Sequence, residues 1–311
     1  MLLLYINMNR RYNSLSNFLK RKFGEPVRKI MLDAGLTCPN RDGIKGTGGC
    51  IYCNWKGSGT GLKSMGYSLK EQIDMQVGRL ASRGYRKFIA YFQSFSNTYA
   101  PIDVLDSLYS VVLDVPCIVA MAIGTRPDCI NEEVIKLLKK YKEKGYLVWV
   151  ELGLQSVHDE TLRFINRGHT FQDFLVAYEL LKRNDFDVVV HIIFGLPGET
   201  FEMQMETVRT ISGIKVDGVK FHVLYVLKGT PLGDIFERGI YIPMDLEDYV
   251  NTVVSALELL PPATVIHRLV SETSSSDLLA PLWIKDKRYV IRRIEEELKE
   301  KDSYQGKYYG T

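Results

Sequence analysis

The sequence predicts an α/β protein, a partial, TIM-like (β/α)6 barrel of parallel strands followed by a C-terminal α-rich extension. Three observations carry this. Six short runs rich in apolar, β-branched or aromatic residues recur through residues 29–239, amphipathic stretches of helical length separate them, and the texture of the chain changes from residue 240 onward. Strand–helix–strand alternation requires right-handed crossovers and therefore a parallel sheet. Repeated units without an internal reversal signal favour an incomplete barrel over an open doubly wound sheet.

The strands fall at 29–35, 87–92, 117–123, 147–153, 188–194 and 219–226, near-continuous apolar runs of the kind buried on both faces of a parallel sheet. Helices are expected at 69–82, 102–113, 132–144, 171–183 and 201–211, where apolar residues recur at helical spacing. Three regions result: a basic N-terminal segment over 1–28, the barrel over 29–239, and an extension packed on it over 240–311. The extension reads as a helix over 246–260, Pro261 and Pro262, the apolar run VIHRLV, a serine-rich turn, LLAPLW, and a charged helix over 285–301. No repeat or low-complexity tract suggests a free linker.

Of the 311 residues 46% are hydrophobic and 25% charged, and no apolar run has the length needed to cross a bilayer, so no membrane association is expected. The N-terminal MLLLYINMNRRYN places its basic residues after its apolar patch, the wrong order for a secretory signal. A cytoplasmic protein is expected. Five cysteines, an odd number, then argue against a disulfide framework and for metal binding or catalysis. A net charge of +3 demands no acidic polymer as partner. Arg10, Arg11, Lys20, Arg21, Lys22, Arg28 and Lys29 nonetheless make the first thirty residues basic, which reads either as a solvated surface or as an electrostatic footprint.

Three of the cysteines lie in TCPNRDGIKGTGGCIYCN: Cys38, Cys50 and Cys53, spaced Cys-x11-Cys-x2-Cys. They directly follow the first strand, and in a parallel barrel the loops at the carboxyl ends of strands carry the chemistry. Structural zinc needs four closed ligands, and no histidine lies nearby. Cys117, within PCIVAMAIG, reads as a buried inert thiol. Cys129 follows a loop and stays open as a fourth ligand. A 4Fe-4S cluster instead accepts three thiolates and leaves one iron for an exchangeable ligand. Gly43, Gly46, Gly48 and Gly49 let the backbone curl and turn its amides toward sulfur. On spacing alone, both readings stand.

The segments LDAGLTCPNRDG and GGCIYCN resemble the radical-SAM superfamily, in which three cysteines of the first barrel loop hold a 4Fe-4S cluster and S-adenosylmethionine chelates the fourth iron. The usual spacing there is Cys-x3-Cys-x2-Cys. The longer spacing here is shared with the branches similar to the elongator catalytic subunit and to YhcC, and the likeness to the latter runs from FGEPV to SYQG. The resemblance implies a radical-SAM enzyme. A reduced cluster gives one electron to the sulfonium, and the 5′-deoxyadenosyl radical removes a hydrogen atom from the substrate. A flavodoxin- or ferredoxin-type donor supplies the electron.

It also implies roles by position. Cys38, Cys50 and Cys53 hold the metal and are catalytic. In FQSFSNTY, Gln93 and Ser94 take over from the usual glycine-rich turn at the methionine amino group. In MAIGTRPD, Thr125, Arg126 and Asp128 offer donors and acceptors to ribose, although such residues also cap helices. In VELGLQS and FINRGHT, Glu151, Gln155, Ser156 and Arg167 stand at the mouth of the fourth strand, Arg167 as a bidentate partner for a carboxylate. Glu151, in an otherwise apolar strand, reads equally as half of a buried ion pair. In VVVHIIFGLPGET, His191 is a cofactor contact or a core imidazole, and Gly195 and Gly198 pass beneath adenine. Substrate contacts fall to Lys220 and His222, two apart on the sixth strand, to Lys228 beyond them, and to Arg268 in an extension that closes over the site with His267 and Trp283.

The elongator-like branch acts on the wobble uridine of tRNA, which makes tRNA the expected partner. Lys285, Lys287, Arg288, Arg292 and Arg293 are candidates for tracking phosphates, and Tyr304, Tyr308 and Tyr309 for stacking bases. The bland readings are the wet face of a helix and a frayed tail. The alternatives to wobble-uridine modification are radical oxidation or rearrangement of a small metabolite, tetrapyrrole-type chemistry among them, and a non-enzymatic zinc-stabilised nucleic-acid-binding module.

Overall fold

The structure, a computed structural model, describes residues 10–54, 57, 59–273 and 276–310. The first nine residues of the basic segment, and Ser274 and Ser275 of the serine-rich turn, lie outside the described residues. Six strands, β1 (Val27–Leu32), β2 (Lys87–Phe92), β3 (Ile118–Thr125), β4 (Leu147–Gln155), β5 (Asp187–Phe194) and β6 (Gly218–Val223), pair in parallel in sequence order. The chain then leaves the sheet through the two-residue β7 (Val226–Leu227) and returns as β8 (Val265–Arg268), a seventh parallel strand beside β6. The result is the expected curled half-barrel, one strand wider. VIHRLV, placed in the extension by its sequence, extends the sheet. A separate antiparallel pair joins β7 to β9 (Leu278–Ala280), so the apolar run at 219–226 is broken after Val223.

In chain order the helices are α1 (Leu15–Phe23), α2 (Leu69–Ala81), α3 (Ile102–Ser110), α4 (Glu132–Glu143), α5 (Asp159–Phe164), α6 (Phe171–Arg183), α7 (Phe201–Gly213), α8 (Pro231–Glu237), α9 (Leu246–Leu259) and α10 (Lys287–Glu300). The long ones match the sequence reading. The sequence reading missed α1, α5 and α8. For α1 the signals were present: Ser14 caps its start, Gly24 ends it with φ 76°, and Lys20, Arg21 and Lys22 suit the negative end of the helix dipole. Those cations had marked the segment as a charged surface.

The sheet sorts its side chains by the two-residue period of a strand. Ile30, Leu32, Phe88, Ala90, Phe92, Met121, Ile123, Val148, Val150 and Leu152 point outward and, under the helices, form the main core. Val27, Ile89, Tyr91, Ala120, Ala122, Trp149 and Val189 point into the lumen, whose lower end is filled by Leu19 with Leu15 and Phe18 of α1. The tail is tied down. Gln305 is fully buried, its Nε2 donates to the carbonyls of Pro261 (2.7 Å) and Thr264 (2.8 Å), and its Oε1 accepts from the Asn13 amide (2.9 Å). The reading of a frayed tail is therefore corrected.

Candidate active site

The cysteine loop joins β1 to α2. Residues 42–47 fold back as a small tongue through an antiparallel bridge between Asp42 and Thr47, and the Gly49 amide donates to Asn40 O (2.9 Å) at its base. This excursion absorbs most of the chain between Cys38 and Cys50. Two tight turns, Arg41 N–H to Cys38 O (2.8 Å) and Cys53 N–H to Cys50 O (2.9 Å), direct the flanking segments. A second apolar cluster supports the loop from outside. Ile51 packs with Leu162, Ile165, Leu196, Leu232 and Tyr241, and the Leu232 amide of α8 donates to Ile51 O (2.9 Å).

The three thiols are free and electrostatically coupled. Burial first, then the neighbouring Cys50 and Cys38, pushes the Cys53 thiol above its ordinary value, while Arg41 acts in the opposite sense. Arg167 Nη1 stands 3.7 Å from Cys50 Sγ, and Asn40 Nδ2 stands 4.0 Å from the same sulfur. Burial disfavours the Arg167 charge, but Cys50, Tyr52 and Cys38 more than offset it, so the guanidinium is held more firmly protonated than usual. Its Nη2 donates to Gly153 O (2.7 Å) and its own carbonyl accepts from Arg126 Nη1 (2.7 Å).

This donor set fits an iron–sulfur cluster. Three thiols from one loop face a buried guanidinium and an amide that can both donate to sulfur. Arg167 Nε, Asn40 Oδ1 and Ser94 Oγ are buried without a partner, as expected of a place that receives a polar ligand. Among the described residues no three His, Cys, Asp or Glu side chains converge as a single metal ion requires. Tetrahedral zinc, with bonds of about 2.3 Å, would draw its sulfurs to about 3.8 Å from one another.

The remaining residues named from the sequence separate into three groups. Around the thiols, Arg126 holds Asp128 with a bidentate pair (2.9 Å to each oxygen), and Lys45 of the tongue adds a third contact at 2.8 Å. Burial opposes ionisation of Asp128, but Arg126 and Lys45 bring it down to about 2. Thr125 shares hydroxyl contacts with Ser96 (2.9 Å) and Thr98 (2.6 Å). Gln93 and Ser94 follow directly on β2, and Gln155, with φ 79°, ends β4. Gly195 (φ 78°) lies under the extension, its carbonyl accepting from Tyr241 OH (2.7 Å).

The second group lies deeper, in the lumen. Glu151 is in the middle of β4, completely buried, away from the strand mouth where the sequence reading had put it. Its carboxylate contacts Lys220, Lys29 (3.1 Å), His191 Nε2 (3.0 Å) and Trp149 Nε1 (3.0 Å). Burial alone would raise its pKa, yet Lys220, Lys29 and His191 hold it well below the carboxylate range. His191 stacks on His222 with centroids 5.1 Å apart. Burial, then Lys220, lowers His191 to about 4, and His222 is likewise depressed by burial and by His191. Arg268 sits across from Lys220 in the β6–β8 register.

The third group is directed elsewhere. Ser156 is engaged by Glu199 and by the His158 amide (3.1 Å). Lys228 is exposed beyond β7, outside the lumen. His267 faces Trp149 at the lower end (5.6 Å), and Trp283 packs on Tyr249 (5.2 Å) with its Nε1 on Met244 O (3.2 Å). Of the basic series on α10, Arg293 pairs with Glu247 (2.9 Å), Arg292 with Glu296 (3.7 Å) and Lys287 with Glu272 (2.5 Å). Lys285 and Arg288 remain exposed.

Sequence reasoning missed Asn40 and Arg41, although both lie in CPNRDG, and His169, two residues from Arg167. Burial, then Arg167 and Arg126, depresses His169 to about 3, so the ring is neutral where its Nε2 meets Gly153 O (3.1 Å). Lys29, counted as part of a basic surface, and Tyr91 belong to the lumen.

A parallel half-barrel with three thiols on its first loop defines a class, and comparison with known proteins identifies it. A profile described as "Radical SAM superfamily" matches residues 43–211, and one described as "Radical_SAM C-terminal domain" matches residues 216–300. The chain belongs to the radical SAM superfamily, an enzyme family, and within it to the YhcC-like branch. It is 39% identical to the Bacillus subtilis protein YtqA (98% of this chain, 95% of that one) and 37% identical to Escherichia coli YhcC (93% and 92%). It is 33% identical over 177 residues to the tRNA uridine(34) acetyltransferase of Methanocaldococcus jannaschii, covering 52% of this chain and 32% of that protein. The solved structure of Methanocaldococcus infernus Elp3 shares the fold, with TM-score 0.72 at 21% identity over 90% of this chain and 64% of that one. The enzyme class replaces the non-enzymatic zinc module. Among the described residues no helix is long and apolar enough to cross a membrane.

Proposed function

We propose that Cys38, Cys50 and Cys53 hold a 4Fe-4S cluster whose fourth iron takes S-adenosylmethionine, and that the enzyme modifies the wobble uridine of a tRNA. The observation that carries the cofactor half is the buried Arg167 guanidinium, 3.7 Å from Cys50 Sγ and held by the Gly153 carbonyl, on a segment whose backbone Arg126 anchors. When bound, the cluster and S-adenosylmethionine supply one-electron cleavage of a carbon–sulfur bond and a carbon-centred abstractor of hydrogen.

The chain's own residues orient and shield. Arg167 and Asn40 donate toward sulfur and a carboxylate, and a guanidinium does so without losing its charge. Gln93, Ser94 and Gln155, at the carboxyl ends of β2 and β4, line the methionine and ribose side of the site, and Thr125 fixes the adjoining loop through Ser96 and Thr98. The Arg126–Asp128–Lys45 bridge ties the tongue, the loop after β3 and the segment carrying Arg167 into one rigid rim. Gly195, under Tyr241, is the adenine-side turn. Below, Leu15, Phe18 and Leu19 of α1 line the lower end of the lumen with apolar side chains. A flavodoxin- or ferredoxin-type protein supplies the electron.

The tRNA half is supported by the partial match to a tRNA uridine(34) acetyltransferase. Lys285, just before α10, and Arg288 on it, which make no ion pair among the described residues, are the phosphate contacts of this reading. Two measurements test it. Anaerobic reconstitution with iron and sulfide should give a brown protein whose colour dithionite bleaches, and Cys50→Ala should lose both the iron and S-adenosylmethionine cleavage. Nucleoside mass spectrometry of tRNA from cells with and without the gene should differ at one modified uridine. Identical nucleoside profiles would remove tRNA as the substrate.

A further inference from the structure

The lumen layer is rich in basic groups. Lys29, Lys220 and Arg268 surround one buried carboxylate, Glu151, beside the neutral rings of His191 and His222, and burial lowers Lys220 while its contact with Glu151 acts in the opposite sense. A second carboxylate, Glu272, acts on Arg268 only from outside the buried layer. Tyr91 on β2 and Tyr249 on α9 are buried with raised pKa values, so both are uncharged. Glu272 is exposed and already engaged by Lys287. Lys220 and Arg268 are cross-strand neighbours in the β6–β8 register, a like-charge juxtaposition that costs stability when nothing lies between them. Lys220 is 98% buried and is paired with Glu151, which leaves Arg268 as the cation without a carboxylate in contact among the described residues.

Two further observations point to a ligand. The Nε2 of His222 is buried without a partner. Its Nδ1 is 3.3 Å from Ser271 Oγ, and because that hydroxyl donates its hydrogen to Val223 O (3.0 Å), Nδ1 carries the ring hydrogen and Nε2 faces the lumen as an unmet acceptor. Arg268 has no hydrogen-bond or ion-pair partner among the described residues, although its field reaches Lys220, His191 and His222. The layer is also reachable, because Lys29 and His191 keep 22% and 17% of their side-chain surface exposed.

We propose that this layer is an anion-binding subsite, in which Arg268 and Lys220 grip a carboxylate or phosphate group of the substrate beside His222 and below the cofactor. The inference deepens the proposed function, resting on it only in taking the lumen as the substrate side of the cysteine loop. Glu151 then acts as a positioning residue: it holds Lys220 and His191 in place and leaves the outer cations uncompensated for the incoming group. Binding an anion there fixes one end of the substrate, so the bond presented to the cofactor is set by the distance from that end.

The test uses the anaerobically reconstituted protein labelled with 15N-histidine, whose five histidines are few enough to assign by substitution. Sodium acetate and inorganic phosphate are titrated separately at constant ionic strength. Saturable shifts of the His222 and His191 signals are expected, with His158, which contacts Met203 O on the outer helices, unmoved as the control for folding. Arg268→Gln should weaken that binding at least about tenfold, the loss expected for a charged hydrogen bond. Saturation by acetate identifies a carboxylate subsite, and saturation by phosphate alone a phosphate subsite. Absence of saturation with both anions, or unchanged binding in the Arg268→Gln protein, overturns the proposal. None of these outcomes depends on tRNA. A nucleoside profile unaffected by loss of the gene removes the tRNA reading separately.

Discussion

Arg167 and Cys50 lie 117 positions apart in the chain, yet the guanidinium Nη1 reaches to 3.7 Å from the thiol sulfur. The contact joins the loop after β1 to the segment between α5 and α6, and it puts a permanent positive charge beside the three thiols. Removing that charge should weaken S-adenosylmethionine binding about 10- to 100-fold, the equivalent of roughly 1.5–3 kcal/mol for a charge-assisted hydrogen bond. In Arg167→Gln, iron content should be retained while equilibrium dialysis shows the weaker affinity, and Arg167→Lys should recover part of it. Wild-type affinity in Arg167→Gln would remove the residue from the cofactor site.

Gly168 tests the rim without touching a ligand. Its φ is +72°, and an added Cβ would stand 2.7 Å from Asn40 Oδ1, the side chain next to Cys50. Gly168→Ala should therefore displace Asn40 and cost about 1–3 kcal/mol through its backbone conformation. Iron retained per chain after gel filtration should fall, together with the unfolding midpoint. A variant with full iron and an unchanged midpoint would show that the rim tolerates the shift.

Glu151 holds the lumen cations, so neutralising it should be costly. Glu151→Gln leaves Lys220 and Lys29 facing each other without their shared anion, and the loss should approach about 3–5 kcal/mol, the range for breaking a buried pair. Adding Lys220→Met removes the stranded charge and should restore part of that loss. Urea unfolding of the single and double variants decides it. A double variant less stable than the single one would contradict the charge-balance account.

The buried histidines predict acid sensitivity above the carboxylate range. His169 and His191 have native values of about 3 and about 4, below the ordinary value of 6.5. Both are neutral in the folded protein and take up protons on unfolding, so stability is full above about pH 6.5 and falls as the pH drops toward 4. These two groups alone contribute a slope approaching about 2.7 kcal/mol per pH unit, and His222 and His267, likewise depressed by burial, add to it. Chemical denaturation between pH 7.5 and 5 measures it, and His191→Gln should reduce the slope. A stability that is flat across this range would mean that the rings titrate in the folded protein as they do in the unfolded chain.

The sequence alone determined the alternating α/β order, because buried parallel strands need continuous apolar runs and covering helices need amphipathic ones, and both patterns are local. It also singled out the trio Cys38, Cys50 and Cys53, which lie as free thiols on one loop after β1. It did not reveal that VIHRLV is the seventh strand. Four residues carry too little periodicity, and a register shift between Val219 and Lys220 lets His267 and Arg268 both serve the lumen, whereas strict alternation would have put them on opposite faces.

Only the tertiary structure decided where charge goes. Lys29 read as part of a solvated surface or an electrostatic footprint, Glu151 as a functional residue of the strand mouth or half of an ion pair with no partner named, and the arginines of α10 as phosphate contacts or the wet face of a helix. The structure gives Lys29 and Glu151 to each other across 122 positions and pairs Arg293 with Glu247, because an ion finds its partner by distance in space, and distance along the chain carries no trace of it.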